Sequence, residues 1–214
     1  MKERYDICIA GGGAAGLACA AFLMSERPGL RVLVVEKKDR PGRKIAASGN
    51  GRCNLSNLAA PGYPETKAFF EGLGLLTMSD GAGRVYPHSE DSRDVVDCLV
   101  SAAEKGGTEI LCGAEVRAVR PADGGFEVEL QGAGEKAARV IRADKVLLAT
   151  GGKAAPKLGT TGDGYRIAKG LGHTVTRLRP ALTGVDTAEN MKKQGLSGIR
   201  QKARVTLSRR GEAT

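Results

Sequence analysis

The sequence predicts an α/β protein built around a parallel sheet whose strands are buried on both faces. The first observation is a short apolar run, Asp6–Ala10, followed by the glycine-rich segment Gly11–Gly16 and the Ala-rich stretch Leu17–Met24, which has high helix propensity. The second is another apolar run, Arg31–Glu36, which comes after the helix stop Pro28-Gly29. This order predicts a β-α-β unit with a right-handed crossover and a parallel strand pair.

Further elements follow in chain order. Helices are predicted at Glu65–Leu76, at Ser92–Val100 with Ser92 as the N-cap and Gly106-Gly107 as the stop, and at Tyr165–Leu171 with Gly172 as its cap. Strands are predicted at Gly83–Pro87, Glu109–Cys112, Glu115–Val119, Phe126–Leu130 and Val146–Thr150. Because apolar and polar residues alternate in Phe126–Leu130, we expect a small antiparallel layer beside the parallel sheet.

Length and pattern together set the domain organisation. A chain of 214 residues suits one domain, or one domain and part of another. We expect a first domain over residues 1–180 and the beginning of a β-rich second domain over 181–214. Gln201–Ser208 reads as a strand and Arg210–Glu212 as a turn, and no partner strand follows. Because an unpaired strand edge is a liability, we expect this chain to be truncated.

Charge and composition indicate which classes of binding partner to expect. The chain has 33 Lys+Arg against 24 Asp+Glu, a net charge of +9, which favours anionic partners in general. No basic block is longer than Lys37-Lys38 or Arg209-Arg210, and no aromatic residues alternate with basic ones, which argues against a nucleic-acid partner. No apolar run of membrane-spanning length occurs, so we expect no membrane partner.

Cysteine usage gives the expected compartment. The cysteines are Cys8, Cys19, Cys53, Cys98 and Cys112. They have neither Cys-x-x-Cys nor metal-ligand spacing, so no metal site is predicted. An odd number of cysteines without a secretion signal predicts reduced thiols in the cytoplasm.

The glycine-rich segment carries the first chemical signal. In Gly11-x-Gly13-x-x-Gly16, the first glycine allows a tight turn, the second allows close approach of a pyrophosphate, and the third allows the helix to pack on the strand. The N-terminus of the following helix offers free N–H groups to the phosphates. Glu36 lies twenty residues beyond Gly16, where a carboxylate accepts from ribose hydroxyls. The pattern predicts a dinucleotide with an unphosphorylated ribose, FAD or NAD rather than NADP.

The segments after Glu36 favour FAD over NAD. A polar, glycine-rich loop over residues 43–57, the antiparallel layer and the late strand before Gly151-Gly152 interrupt the regular β-α repeat that an NAD-binding domain would continue. This arrangement is typical of the FAD-binding domain of flavoproteins with two dinucleotide-binding folds.

Four blocks resemble a known family in the right order. They are Gly11–Gly16, Ser48–Asn54 (Ser-Gly-Asn-Gly-Arg-Cys-Asn), Ala149–Gly152 and Pro156–Tyr165. They resemble the BaiN-like FAD-dependent oxidoreductases, also called the aminoacetone-oxidase family of NAD(P)/FAD-dependent oxidoreductases. The resemblance implies a Rossmann-like FAD-binding domain with three layers, β/β/α, and transfer of a hydride to or from a small organic substrate. Enone reduction and amine oxidation are the reactions it suggests, with NAD(P)H as a further electron donor.

The resemblance also implies which residues bind the cofactor. Ala14 and Ala15 are expected at the pyrophosphate, Glu36 and Lys37 at the adenosine ribose, Arg43 and Lys44 at the phosphates, Val116 at the adenine, and Thr150, Gly151 and Asp163 close to FAD. For Asp163 an N-cap role is an equal alternative.

Asn50, Arg52, Cys53 and Asn54 are the candidates for the polar surroundings of the flavin. Arg52 would stabilise negative charge on reduced flavin. Cys53 is a candidate redox thiol, but a small buried residue in a tight loop is the favoured interpretation. No catalytic residue is identified, and His88 and His173 are interpreted as a loop and a structural histidine.

Two other classes of function stay open. Family members are longer, so this chain is expected to lack the segment that completes the FAD domain. It would then be a non-catalytic FAD-binding fragment, or a split subunit that needs a partner chain. The other class is an FAD-dependent RNA-modification protein, which the positive charge favours. The identity of the substrate is not predicted.

Overall fold

The computed structural model describes residues 4–134, 137–180, 206, 208–209 and 212–213. The chain divides into two compact units, Met1–Arg177 and Leu178–Thr214.

The helices are α1 (Ala14–Glu26), α2 (Arg43–Ala46), α3 (Tyr63–Gly72), α4 (Ser92–Lys105) and α5 (Asp163–Gly170), with 3₁₀ turns at Ser48–Gly51 and Pro156–Leu158. The strands of the first unit are β1 (Arg4–Ala10), β2 (Val32–Glu36), β3 (Ser56–Asn57), β4 (Thr77–Ser79), β5 (Arg84–Pro87), β6 (Glu109–Cys112), β7 (Ala114–Ala122), β8 (Gly125–Gly132) and β9 (Arg139–Leu148).

A six-stranded sheet in the order β6-β2-β1-β9-β8-β7 forms the centre of the first unit. The strands β6, β2, β1 and β9 are parallel, and β8 and β7 continue the sheet in antiparallel fashion. Cys8 on β1 lies opposite Leu33 on β2 and Val146 on β9. A smaller antiparallel sheet has the order β3-β5-β4. The predicted α/β fold with a parallel β-α-β unit is confirmed.

Strand β2 shows why the sheet is covered on both faces. Leu33 and Val35 are buried in one cluster with residues of β7, β8 and α5. Val32 and Val34 are buried in another cluster with residues of α1 and α4. Adjacent residues of a strand point to opposite faces, so a run of apolar residues without alternation needs cover on both sides. The result is three layers: the β7–β8 hairpin, the parallel sheet and the helices.

The antiparallel layer is joined to the parallel sheet differently from the expectation, because strand β9 belongs to both. Strand β9 begins at Arg139, seven residues before the predicted Val146, and ends at Leu148 instead of Thr150. Residues 139–143 pair with β8, and residues between Arg142 and Leu148 pair with β1, so the two pairings overlap at Arg142 and Ala143. The hairpin is therefore part of the main sheet and folds over it. Likewise β6 pairs with β2 in the parallel part.

Helix boundaries also differ from the predicted ones. Helix α3 runs over Tyr63–Gly72 rather than Glu65–Leu76. The N-cap of α4 is Asp91 and not Ser92, because the Asp91 carboxylate accepts from the Arg93 N–H at 2.8 Å. Ser92 is buried and its hydroxyl donates to the Ala46 carbonyl at 2.8 Å.

Little of the second unit is described. Ser208–Arg209 (β10) pairs in antiparallel fashion with Glu212–Ala213 (β11), so the end of the predicted strand Gln201–Ser208 has a partner. Residues 181–205 and 207 lie outside the described residues. Among the helices that are described, none combines the length and apolar character needed to cross a bilayer.

Candidate functional site

A cleft of about 1190 Å³ opens at the carboxyl ends of β1, β2 and β9, where ligands bind in open α/β sheets. It brings together most of the residues that the sequence predicts for the cofactor. These are Gly11, Gly13, Ala14, Ala15, Glu36, Lys37, Arg43, Lys44, Cys53, Asn54, Val116, Thr150, Gly151 and Asp163. Gly16, Asn50 and Arg52 are not in its lining.

The three fingerprint glycines have different reasons to be glycine. Gly11 has a φ of +113°, and a Cβ there would collide with the Ala149 carbonyl. A Cβ at Gly16 would collide with the Gly11 carbonyl, where α1 packs on β1. A Cβ at Gly13 would meet no protein atom within 4 Å, and its backbone suits any residue. The chain's own packing therefore explains Gly11 and Gly16, whereas at Gly13 the glycine leaves open space in the cleft.

The N-terminus of α1 borders this open space. Its N-cap, Gly13, makes no side-chain hydrogen bond, and the first turn contains no acidic residue. Ala14 and Ala15 are exposed and line the cleft. The first N–H groups of a helix have no partner within it, and the helix dipole makes this end positive. The arrangement can bind a diphosphate without any cationic side chain.

Glu36 links β2 to the glycine turn. One carboxylate oxygen accepts from the Gly12 N–H at 2.9 Å, and the other accepts from the Lys38 N–H at 2.8 Å. A carboxylate oxygen can accept more than one hydrogen bond, so both oxygens keep capacity for further donors from the cleft. The side chain is thus held in place before any ligand binds.

The opposite wall consists of Thr150 and Gly151, which follow β9, and of the start of α5. The Gly164 N–H donates to the Thr150 hydroxyl at 2.9 Å. Gly151 has a φ of +76°, and a Cβ there would lie 2.8 Å from Thr160 Cγ2. These contacts place the backbone of Thr150 and Gly151 at the surface of the cleft.

Asp163 is paired with Lys37 across the cleft. Lys37 Nζ lies 2.6 Å from Asp163 Oδ2, and the Thr161 hydroxyl donates to the same oxygen at 2.7 Å. Burial alone would raise the pKa of Asp163, but the hydrogen bonds from Lys37 and Thr161 outweigh it and lower the pKa. The N-cap of α5 is Gly162, and Asp163 is the first helical residue, so the alternative N-cap role is wrong.

Val116 lies on the edge of the main sheet. Strand β7 pairs with β8 on one side and has no described strand on the other, and its residues Ala114, Glu115 and Val116 line the cleft. The β7–β8 register shifts between Val116 and Ala118. An edge with these properties can hydrogen-bond a flat ring through its backbone, as the sequence predicts for the adenine.

The loop over residues 48–54 has an unusual backbone. Gly49 and Gly51 have positive φ, and so do Asn50 (+57°) and Cys53 (+56°), which are not glycine. Such residues are uncommon, and a non-glycine in the left-handed region is held there by its surroundings. Cys53 is buried in the lining of the cleft, whereas Asn50 lies outside it. The amide nitrogen of Asn54, in the orientation that satisfies its neighbours, donates to the Ser56 and Val85 carbonyls.

Arg52 lies outside the cleft. Its guanidinium pairs with Glu90 at 2.8 Å and stacks over the ring of Tyr86, 4.5 Å from the centroid. These contacts hold the loop that carries Cys53 and Asn54. The expected role of Arg52 beside a reduced flavin therefore has no support from the geometry, and that role stays a prediction.

Cys53 lines the cleft, whereas both histidines lie outside it. Burial raises the pKa of the Cys53 thiol despite an opposing hydrogen bond with Ser48, which disfavours the reactive thiolate. His88 and His173 are exposed and outside the lining. Within the described part of the chain, no three residues of the metal-binding types are grouped closely enough to hold an ion.

One part of the cleft was missed by the sequence reasoning. Between α1 and α3 the lining is mostly apolar: beside the polar Glu65 and Thr66 of α3 it contains Ala18, Phe22, Leu55, Phe69, Phe70, Val95 and Leu99. Phe22 is 53% exposed. The available signal was helix α1 itself, which has polar residues only at its end and so needs apolar cover on nearly every side.

The comparisons with known proteins agree with this geometry. The family described as the HI0933-like protein Rossmann domain matches residues 5–65 and 62–202. The chain belongs to the HI0933-like family. A 3-dehydro-bile acid delta(4,6)-reductase from Clostridium scindens is 34% identical over 93% of this chain and 51% of its own length. A ribosomal RNA dihydrouridine synthase from Escherichia coli K12 is 34% identical over 84% of this chain and 48% of its own length.

Solved structures place this HI0933-like chain in the same fold. The open form of a flavocytochrome c3 fumarate reductase has a TM-score of 0.58 at 20% identity, over 79% of this chain and 41% of that one. Thermovibrio ammonificans THI4 has a TM-score of 0.57 at 17% identity, over 80% and 64%. The expected family and its Rossmann-type flavoprotein fold are thus confirmed, and the family is one of FAD-dependent oxidoreductases. This HI0933-like chain spans about half the length of the curated relatives it matches.

Proposed function

We propose that this chain binds FAD and belongs to an enzyme that reduces a carbon–carbon double bond conjugated to a carbonyl group. The observation that carries the dinucleotide assignment is the open space at Gly13, next to an uncapped helix N-terminus and to Gly12, whose N–H donates to Glu36; membership of a family of FAD-dependent oxidoreductases favours FAD over NAD. A pyrophosphate needs that space and those N–H groups, and Glu36 suits the hydroxyls of an unphosphorylated ribose.

Different residues of the cleft would bind different parts of FAD. Ala14 and Ala15 would donate backbone N–H groups to the pyrophosphate, with Arg43 and Lys44 supplying positive charge nearby. Glu36 would accept from the ribose, and the backbone at Val116 would bind the adenine. Bound FAD supplies the hydride donor and acceptor that no side chain can provide.

The type of reaction follows from what two relatives have in common. One is named as a delta(4,6)-reductase of a 3-dehydro-bile acid, and the other as a dihydrouridine synthase. Both names describe the saturation of a carbon–carbon double bond conjugated to a carbonyl group. Hydride addition to such a bond is therefore the activity that these similarities support, and it favours enone reduction over amine oxidation for this chain.

Release of the cofactor tests the FAD assignment. The purified chain is denatured, and the released nucleotide is compared with FAD and NAD by chromatography; FAD is also titrated into the stripped chain. Co-purified or tightly titrating FAD supports the proposal. If neither nucleotide is released and neither binds, the chain is a fragment that needs a partner, and the proposal for the isolated chain fails.

An RNA substrate is the second candidate. It is favoured by the dihydrouridine synthase relatives and by the net charge of +9. Mass spectrometry of ribosomal RNA treated with the complete reduced protein would show a gain of two hydrogens at a uridine. Small conjugated enones are assayed in parallel by flavin reoxidation. Turnover of the enones without modified uridine excludes the RNA candidate.

A further inference from the structure

Five basic residues lie on and beside the segment that runs from the end of β9 through α5. They are Lys38, Lys153, Lys157, Arg166 and Lys169, and the surface that they form is called the basic surface below. Lys38 is half-buried and the other four residues are exposed. Among the described residues, no ion pair joins any of the five to an acidic side chain. Their positive charge is therefore open to an anionic partner.

Basic residues on other parts of the described chain are commonly paired. Arg4 binds Asp144 and Arg31 binds Asp6, each at 2.6 Å. Exposed pairs of this kind contribute little to stability, but each cancels a positive charge at the surface. Between residues 153 and 169 the sequence contains four basic residues and one acidic residue, Asp163, whose carboxylate already binds a lysine. Positive charge is thus in excess along this segment.

The basic surface is continuous because its lysines pack around one loop. A Cβ at Gly162 would lie 2.5 Å from Lys153 Cε, and a Cβ at Gly159 would lie 3.3 Å from Lys38 Cε. Lys157 belongs to the 3₁₀ turn that comes immediately before Gly159. Lysines from two segments that are distant in sequence therefore surround the same loop.

Helix α5 extends the basic surface. Arg166 and Lys169 are three residues apart, so they lie on the same side of the helix, and both are exposed. Ile167 between them is buried, and Ala168 lines the cleft. One helix thus contributes both to the wall of the cleft and to the basic surface.

A polar recess of about 450 Å³ adjoins the basic surface. Its lining includes Lys38 and Arg117, together with Lys37 and Glu115, which also line the cleft. Glu115 is paired with Arg117 at 3.4 Å, and Arg166 donates to the Arg117 carbonyl at 2.6 Å. Cationic groups around a concave surface raise the local concentration of anions. The recess is therefore the part of this surface best suited to a phosphate group.

We propose that the basic surface binds the phosphate backbone of double-stranded RNA and anchors an RNA substrate beside the cleft. The proposal rests on the RNA candidate of the proposed function. Contacts to phosphates position a nucleic acid without reading its sequence, and helical RNA is recognised largely through its backbone. Stacking of single-stranded bases needs aromatic side chains, and Tyr165 is the one aromatic residue between residues 153 and 169. The surface consequently suits a duplex better than a single strand.

Charge-matched variants test the proposal. Lys153→Gln/Lys157→Gln removes two charges from the basic surface, and Lys38→Gln removes one at the recess. The control is Arg27→Gln/Lys105→Gln, which removes two exposed charges that also have no ion-pair partner among the described residues. Arg27 follows α1 and Lys105 ends α4, shortly before β2 and β6 begin, so both lie at the opposite end of the sheet from the cleft.

Binding of a fluorescently labelled RNA hairpin to the purified chain is measured by anisotropy over a series of KCl concentrations. Each phosphate contact that is lost should lower the slope of log Kd against log [KCl] by about one. We expect a slope lower by about two in Lys153→Gln/Lys157→Gln and by about one in Lys38→Gln. At low salt the double variant should bind at least about tenfold more weakly, and the control should stay within about twofold of the parent.

Measurements with FAD and with substrate separate this proposal from the proposed function. Neither Lys153 nor Lys157 lines the cleft, so the Kd for FAD should be unchanged in their double variant. If the parent chain does not bind FAD, the FAD assignment fails, and RNA binding still decides whether the basic surface contacts phosphates. If the complete reduced protein binds RNA but modifies no uridine, the RNA candidate fails and the anchoring of a substrate fails with it.

Three further results would overturn the proposal. One is a parent chain that does not bind the hairpin even at low salt. Another is equal weakening by the two double variants, which would show that only the net charge of the chain matters. The third is tighter binding to vesicles that contain phosphatidylserine, lost in Lys153→Gln/Lys157→Gln, which would assign the surface to a lipid membrane instead of RNA.

Discussion

At the scale of single residues, Glu36 illustrates how the site is prepared for a ligand. Its two oxygens are bonded to the Gly12 and Lys38 N–H groups, so the side chain loses little conformational freedom when a ribose arrives. Lys37, the next residue along the chain, is committed to Asp163 instead. Two neighbouring charged residues of the cleft therefore have different partners within the chain.

Gly13 gives the sharpest prediction at this scale. Gly13→Val should lower the free energy of unfolding by no more than about 1 kcal/mol, because no protein atom lies within 4 Å of its Cβ position and only the preference for glycine at the N-cap of α1 is lost. It should weaken FAD binding at least about a hundredfold, because the side chain occupies the space of the pyrophosphate. Urea unfolding and flavin fluorescence titration measure the two effects.

Gly16→Ala is the matched control. Its Cβ would collide with the Gly11 carbonyl, so this variant should lose stability even without nucleotide. Equal FAD affinity in Gly13→Val and the parent chain would contradict the placement of the pyrophosphate at this turn.

At the scale of elements, strand β9 decides the architecture. Its ten residues pair with β8 over residues 139–143 and with β1 between Arg142 and Leu148. The hairpin is thereby carried over the face of β2 that holds Leu33 and Val35. The same connection brings Val116 to the cleft, although it is 80 residues away from Glu36 in the sequence.

Asp163, in the first turn of α5, gives a prediction about how the stability of the chain depends on pH. The folded pKa of Asp163 lies below its ordinary value of 3.8, so the carboxylate contributes stability that is complete above that value and is lost as the pH falls through the folded pKa. Asp163→Asn should be less stable than the parent at pH 7, and the difference should shrink once the pH falls below 3.8. Urea unfolding of both proteins over a pH series measures it; a difference that does not change with pH would contradict the ion pair.

At the scale of the whole molecule, the walls of the cleft are formed by segments distributed over most of the first unit. Residues between Ala10 and Ala168 line it, and they come from the ends of strands, from helix α1 and from the loop over residues 48–54. Filling it with a ligand should consequently stabilise the first unit as a whole and not one element alone.

FAD should raise the thermal unfolding midpoint of the chain. At a concentration of one hundred times Kd, binding to the native state contributes about 2.7 kcal/mol. For a chain of this size that corresponds to roughly 5–10 °C. NADP should give a smaller shift, because Glu36 repels a 2′-phosphate. Differential scanning fluorimetry measures both shifts, and an equal or larger shift with NADP would argue against Glu36 at the ribose.

Much of the site was predictable because its signals are local. Gly11, Gly13, Gly16 and Glu36 lie in one β-α-β unit, where a tight turn and the crossover length fix their relative positions. Arg52 was not predictable, because its partners Tyr86 and Glu90 are more than thirty residues away. The pairing of Lys37 with Asp163 likewise depends on contacts between distant segments, and so does the apolar part of the cleft between α1 and α3.

The sequence by itself determined the parallel β-α-β core, the glycine turn and the acidic residue at the end of β2, since these follow from backbone sterics and hydrophobic pattern over about thirty residues. Only the tertiary structure decided that β9 pairs with both β1 and β8, and that Asp163 binds Lys37 rather than capping its helix. It also placed Arg52 outside the cleft. Pairing between distant strands and side chains is chosen by packing of the whole molecule, which no short stretch of sequence encodes.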